Sequence, residues 1–215
     1  MRNVAIMGNG PKELIPDLES YQNSIDVWIG ADRGSLILIE NGISPDYAVG
    51  DFDSMDEADK EKVYKQAKSY QLYPSEKDQT DLEIALEQAY TLQPDTIYLF
   101  GVTGGRLDHA LINIQLLHVI MAQHIRGVII DRQNQLELIG AGNHEIRHDH
   151  RHPNISFIPY TQHVEGLTLE GFYYPLVEAS IAWGSTLCIS NKLILNYGTF
   201  SFKEGILLII KSCDE

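Results

Sequence analysis

The sequence predicts an N-terminal open, mostly parallel α/β sheet domain followed by a C-terminal β-sandwich domain. Three observations predict it. Strand-sized apolar runs alternate with amphipathic segments through about the first 130 residues. Beyond Arg132 the helical period stops and β-rich runs follow, broken by regular turn signals. The chain has 215 residues, 44% hydrophobic and 21% charged, which is long enough to bury a core in each part. The boundary falls between 1–132 and 133–215.

In the first part, the apolar runs are 4–7, 25–29, 47–49, 70–73, 96–100 and 128–130. They are short and do not alternate, as expected of strands covered on both faces of a parallel sheet. The segment 36–41 reads as a helix that Gly42 stops as a C-cap. Ser54 with Glu57, and Thr80 with Glu83, have the spacing of capping boxes, each opening a helix. Leu82, Ala85, Leu86 and Ala89 then recur at helical spacing, as do Leu107, Ala110, Leu111, Ile114, Leu117 and Met121. In the second part, the expected strands are 155–158, 186–190, 193–197 and 206–210.

Composition narrows the function. Against 16 Lys plus Arg stand 30 Asp plus Glu, a formal net charge of −14. Such a chain lacks the basic footprint of nucleic-acid binders, but it can hold a nucleotide through Mg²⁺ and backbone N–H groups. Cys188 and Cys213 do not make a disulfide framework. There is no signal-peptide pattern and no membrane-length apolar run, so a cytoplasmic protein is expected.

The acids fall where chemistry is expected. Ligands of an open α/β sheet bind beyond the carboxyl ends of its strands. Asp32 follows the second run, Asp51 and Asp53 the third, Asp78 and Asp81 the fourth, and Arg106 and Asp108 the fifth. If Asp51-Phe52-Asp53 is extended, both carboxylates share one side while Phe52 points to the core. Their mutual repulsion calls for a cation, and Mg²⁺ suits hard oxygen ligands. A turn, with Asp53 or Ser54 capping the next helix, is the plainer alternative. Gly101-Val102-Thr103-Gly104-Gly105-Arg106 offers outward N–H groups and a guanidinium to phosphate, without the Gly-Lys-Ser/Thr ending of a Walker A loop. Gly8-Asn9-Gly10-Pro11 reads as an ordinary turn. His148, His150 and His152 read as part of an exposed hairpin, and Phe172-Tyr173-Tyr174-Pro175 as core or sheet-edge packing.

Gly30-Ala31-Asp32-Arg33-Gly34, Gly50-Asp51-Phe52-Asp53-Ser54, Lys77-Asp78-Gln79-Thr80-Asp81 and Gly101-Val102-Thr103-Gly104-Gly105-Arg106-Leu107-Asp108-His109 resemble, in order and spacing, the bacterial thiamine pyrophosphokinase family. Gly171-Phe172-Tyr173-Tyr174-Pro175-Leu176 and Ser190-Asn191 continue the resemblance nearly to the end. It implies an α/β domain binding ATP and Mg²⁺, and a β-sandwich for thiamine binding and dimerisation. It also implies a homodimer with its site in a cleft between subunits, and transfer of pyrophosphate from ATP to the thiamine hydroxyl with release of AMP. Carried over by residue, Asp51, Asp53 and Asp81 are the implied Mg²⁺ ligands with Asp32 near them. Asp32, Arg33, Lys77, Asp78, Thr80, Thr103, Gly104, Gly105, Arg106 and Leu107 form the implied ATP shell. Ser190 and Asn191 are the implied thiamine contacts. The catalytic set is Asp51, Asp53, Asp81, Arg106 and Asp108, with the proton acceptor open between Asp81 and Asp108. Neither nucleic acid nor membrane is an expected partner.

Overall fold

Each apolar run in the first part of the chain becomes a strand: β1 (Asn3–Met7), β2 (Val27–Ala31), β3 (Tyr47–Gly50), β4 (Ser69–Leu72), β5 (Thr96–Phe100) and β6 (Arg126–Ile130). The structure, a computed structural model, describes residues 1–74, 76 and 78–214. These fall into two compact units, Met1–Arg132 and Gln133–Glu215.

In the first unit the strand order is β6-β5-β1-β2-β3-β4, with each pairing parallel. Val4, Ile6, Ile97 and Leu99 are fully buried, which explains why the runs do not alternate. The chain steps outward from β1 to β4, then returns to the other side of β1 as β5. The order therefore reverses between β1 and β5, and the gap beyond their carboxyl ends is the topological switch point. Helices α2 (Gly34–Glu40), α3 (Glu57–Gln66), α4 (Asp81–Thr91) and α5 (Leu107–Ala122) follow β2, β3, β4 and β5, after the single turn α1 (Glu19–Gln22).

The contact of α2 with β1 depends on Gly34. A Cβ built there would lie 1.9 Å from the carbonyl oxygen of Met7, an atom fixed in the sheet. Gly34→Ala is expected to cost about 3 kcal/mol, because helix and strand must separate. Urea unfolding measures this, and an unchanged midpoint would show that the helix shifts freely.

Two helix expectations are revised. Thr80 and Glu83 form the capping box at the start of α4, but Ser54 and Glu57 do not form one. Asp56 caps α3, its Oδ1 accepting from the Asp59 N–H at 2.8 Å, because the turn after β3 places Asp56 and not Ser54 at the helix start. Along α5 the apolar period continues, yet Leu107 and Leu111 are exposed while Leu116, Leu117 and Ile120 are buried. Leu117 and Ile120 press on Gly127 of β6, whose missing side chain admits them.

The second unit is antiparallel throughout: β7 (Asn134–Arg147), β8 (Asn154–Pro159), β9 (His163–Glu170), β10 (Leu176–Ala182) and β11 (Tyr197–Ser212). β7 lies along one edge of β11. The other edge is shared, with β9 on 199–204 and β8 on 207–212. That division closes the strands over one core, in which Phe157 meets Phe172 and Phe200 edge-on at 5.4 and 5.2 Å between ring centroids. Residues 186–190 turn and bend where a strand was expected. In 193–197, Leu193 makes only a single bridge, to Phe172, before β11 begins. The histidine segment also departs from expectation. β7 and β8 pair with opposite edges of β11, so 148–153 is no hairpin, and His152 is 3% exposed with Nδ1 3.4 Å from Asp149 Oδ2. Phe172 is core, whereas Tyr173 and Tyr174 are exposed. Among the described residues no helix is long and apolar enough to cross a membrane.

Candidate active site

The switch point holds a cavity of about 720 Å³, within the range of small-ligand sites. Its floor is two glycine loops packed backbone to backbone. Gly8 N–H donates to the Phe100 carbonyl at 2.8 Å, and Gly10 N–H to the Gly101 carbonyl at 2.7 Å. A Cβ on either Gly8 or Gly10 would stand 2.7 Å from the Gly101 oxygen, so side chains are excluded there. Gly101, Gly104 and Gly105 all have positive φ, which leaves the loop's backbone bare toward the cavity. Thr80 and Asp81 at the start of α4, with Asp32 after β2, line the acidic side.

Asp51 and Asp53 converge, by a different route from the extended one expected. Phe52 has φ +54 and makes the segment a turn; its ring is fully buried and stacks on Tyr70 at 4.5 Å. Asp53 N–H donates to Asp51 Oδ1 at 3.1 Å, which folds one acid back on the other. The Asp53 pKa is raised, first by its hydrogen bond and charge interaction with Asp51, then by slight desolvation and the negative fields of Asp32 and Asp81. Four carboxylates from three loops thus share one field. Asp32 Oδ1 is buried without a partner, the condition in which an anionic oxygen wants a cation. Among the described residues no three acidic, histidine or cysteine side chains form a preassembled metal site.

Arg106 is 74% exposed at its side chain and lies against Asp108, Nε to Oδ1 at 3.1 Å and Nη2 to Oδ2 at 2.6 Å. This fork, with the His109 N–H, holds the Asp108 carboxyl down at about 2. Thr103 donates its hydroxyl proton to Asp131 Oδ2 at 2.7 Å, and Asn113 Nδ2 donates to the Val102 carbonyl at 2.7 Å; the two side chains pin the loop from opposite sides.

The other expected residues are scattered. Arg33 Nη1 donates to the Ser54 carbonyl at 3.3 Å. Thr80 spends its hydroxyl in the capping box. Asp78 and Leu107 are exposed and do not line the cavity. Lys77 lies outside the described residues. Ser190 is exposed, at φ +55. Asn191, expected as a ligand contact, is 2% exposed. Its Oδ1 accepts from the Tyr174 and Lys192 N–H groups at 3.0 and 2.9 Å, and its Nδ2 donates to the Tyr174 carbonyl at 2.8 Å. Its amide is committed to clamping the segment at Tyr174. Sequence reasoning missed Asn9, Lys12 and Asn113, which also line the cavity, and Asp131, which holds Thr103. Asn9 had a signal, because Gly8-Asn9-Gly10 follows the first strand of an open sheet.

Fold and cradle together have the construction of a nucleotide-handling α/β enzyme. Residues 18–130 match the family model described as thiamin pyrophosphokinase, catalytic domain, and 143–207 that described as thiamin pyrophosphokinase, vitamin B1 binding domain. The chain is 47% identical over 214 residues to the curated thiamine pyrophosphokinase of Bacillus subtilis (strain 168), covering 100% of both chains. The crystal structure of the Bacillus subtilis thiamine pyrophosphokinase matches with a TM-score of 0.94 at 47% identity, covering 100% of both chains. That from Geobacillus thermodenitrificans matches with a TM-score of 0.89 at 45% identity, covering 99% of this chain and 98% of the other. The chain belongs to the thiamine pyrophosphokinase family.

Proposed function

We propose that the chain transfers the pyrophosphoryl group of ATP to the hydroxyl of thiamine, giving thiamine diphosphate and AMP. The observation that carries this reading is the glycine-floored cradle at the switch point with Asp32 and Asp81 on its rim. Asp51, Asp53 and Asp81, with Asp32, are the residues that would hold Mg²⁺. When bound, the ion supplies charge neutralisation on the phosphates and a template for in-line attack.

The chain's own groups do the rest. Backbone N–H groups of Gly104, Gly105 and Arg106, together with the Arg106 guanidinium, offset charge developing on the transferred group. The Thr103 hydroxyl donates to Asp131, so toward a ligand its oxygen can only accept, and its backbone serves the phosphates. Asp108 is tied by both oxygens to Arg106 and held at about 2, so it is a poorer base for the thiamine proton than an untied carboxylate. Its work is to orient Arg106. Ser190 and the exposed rings of Tyr173 and Tyr174 face thiamine, whose cationic ring the acidic chain attracts. The working protein is a cytoplasmic homodimer whose reaction centre draws on two subunits.

The test incubates ATP and thiamine with and without Mg²⁺. Equal amounts of AMP and thiamine diphosphate are expected, only with the metal; ADP as product would overturn the transfer. An arginine at Ser190 is expected to repel cationic thiamine, so mixing inactive Asp53→Asn and Ser190→Arg chains under subunit exchange is expected to restore about a quarter of the activity, since half the dimers become hybrids with one intact site. No recovery, with exchange confirmed, would place each centre in one chain.

A further inference from the structure

Ser54 does not cap a helix. That task belongs to Asp56, and the Ser54 hydroxyl turns instead to another loop, donating to Asp32 Oδ2 at 2.7 Å. This is a charge-assisted bond between the turn after β3 and the end of β2. The same join is tight in the backbone. Asp32 N–H donates to the Val49 carbonyl at 2.7 Å, and Asp32 holds φ +47. A Cβ on Gly50 would stand 3.0 Å from the Asp32 Cα, so the two loops are in backbone contact. Arg33 Nη1 donates to the Ser54 carbonyl at 3.3 Å, a second bond from the same loop to the turn.

The consequence lies in the two oxygens of Asp32. Oδ2 is occupied by Ser54, whereas Oδ1 is buried and unpartnered. A carboxylate with one oxygen tied can rotate little, so its remaining lone pairs keep one direction. We infer that Ser54 is a positioning residue which ties one oxygen of Asp32 so that the other is aimed at the cation of the site. The inference rests on the Mg²⁺ reading above. Ser54 touches neither substrate nor metal in this arrangement. It acts through Asp32, as groups behind a metal ligand commonly do. It also makes Asp32 and the Asp51–Asp53 turn move as one piece.

Mn²⁺ is the probe, titrated into the full-length chain and followed by electron paramagnetic resonance of the free ion, for wild type, Ser54→Ala, Ser54→Thr and Asp53→Asn. Ser54→Ala is expected to bind Mn²⁺ about tenfold more weakly, while Ser54→Thr, which keeps the hydroxyl, binds close to wild type. Without metal the melting temperature of Ser54→Ala stays near that of wild type, because Ser54 is exposed. In turnover its activity returns as Mg²⁺ is raised, so the loss lies in apparent metal affinity and not in kcat at saturation. Unchanged Mn²⁺ affinity in Ser54→Ala beside weakened binding in Asp53→Asn would overturn the role of Ser54 and leave the metal reading standing. Equal binding, or none, in wild type and Asp53→Asn would overturn the metal reading and this inference with it.

Discussion

Asp53→Asn is expected to lower turnover by at least about a hundredfold, as the loss of a proposed metal ligand should, and yet to make the folded chain harder to melt at neutral pH. The two effects share one cause. Asp53 is ionised beside Asp51 in the fields of Asp32 and Asp81, and its pKa is raised above the ordinary 3.8. A carboxyl whose folded pKa exceeds its unfolded pKa gives up protons more readily when unfolded, so its charge works against the fold at neutral pH. As pH falls through the folded pKa the group is protonated and that penalty goes. The melting advantage of Asn over Asp is therefore present at pH 7 and disappears as pH approaches 3.8. Mg²⁺ is expected to stabilise wild type more than the variant, because it occupies the repelling set. Near-native turnover, or a variant less stable than wild type at pH 7 without metal, would sink the account.

Much of this architecture was legible in the sequence, for reasons visible in particular residues. Strands covered on both faces need uninterrupted apolar runs, and 96–100 matches β5 end to end. Thr80 and Glu83 announce α4 because both halves of a reciprocal cap are side chains. What stayed hidden depends on contacts distant in sequence. Ser54 and Thr80 have the same local signature, and only the loop after β2 decides that Ser54 turns away to Asp32. Asn191 looks like a ligand contact until its amide is seen spanning 17 residues to Tyr174. Asp131 is silent in sequence, since nothing local says that an acid at the end of β6 holds Thr103. Residues 186–190 have strand composition but bend: the β8 edge reaches the segment through the Phe157 N–H to the Cys188 carbonyl at 2.9 Å, yet Ser190 at φ +55 breaks the extended run before the Asn191–Ile155 bridge. The family was legible earlier than the geometry: Gly30-Ala31-Asp32-Arg33-Gly34, Gly50-Asp51-Phe52-Asp53-Ser54, the motif ending in Asp81 and the run from Gly101 to His109 resemble it in order and spacing.

Arg106 and Asp108 are expected to fail together. The two side chains make a parallel fork, with bonds of 3.1 and 2.6 Å on an exposed surface. A lysine keeps the charge of Arg106 but cannot bond Asp108 at two atoms while offering further N–H groups to phosphate. Arg106→Lys should lower kcat by roughly 10²–10³-fold, the scale of a lost donor to developing charge, with a smaller change in the ATP Michaelis constant. Asp108→Asn should fall in the same parameter, since an amide holds the guanidinium less firmly than a carboxylate does. The pH dependence separates orienting from base catalysis. With its folded pKa at about 2, Asp108 stays ionised through the working range, so any acidic limb in kcat/KM belongs to another group and persists in Asp108→Asn. Coupling decides the matter, because residues acting as a unit do not add. If Asp108 serves only by orienting Arg106, then once Arg106 is Lys the change at Asp108 has little left to remove, and the double variant resembles Arg106→Lys alone. If Asp108 takes the thiamine proton itself, the two losses multiply. Measuring kcat for the four proteins of that cycle distinguishes the cases, and a multiplicative result would restore Asp108 as the base.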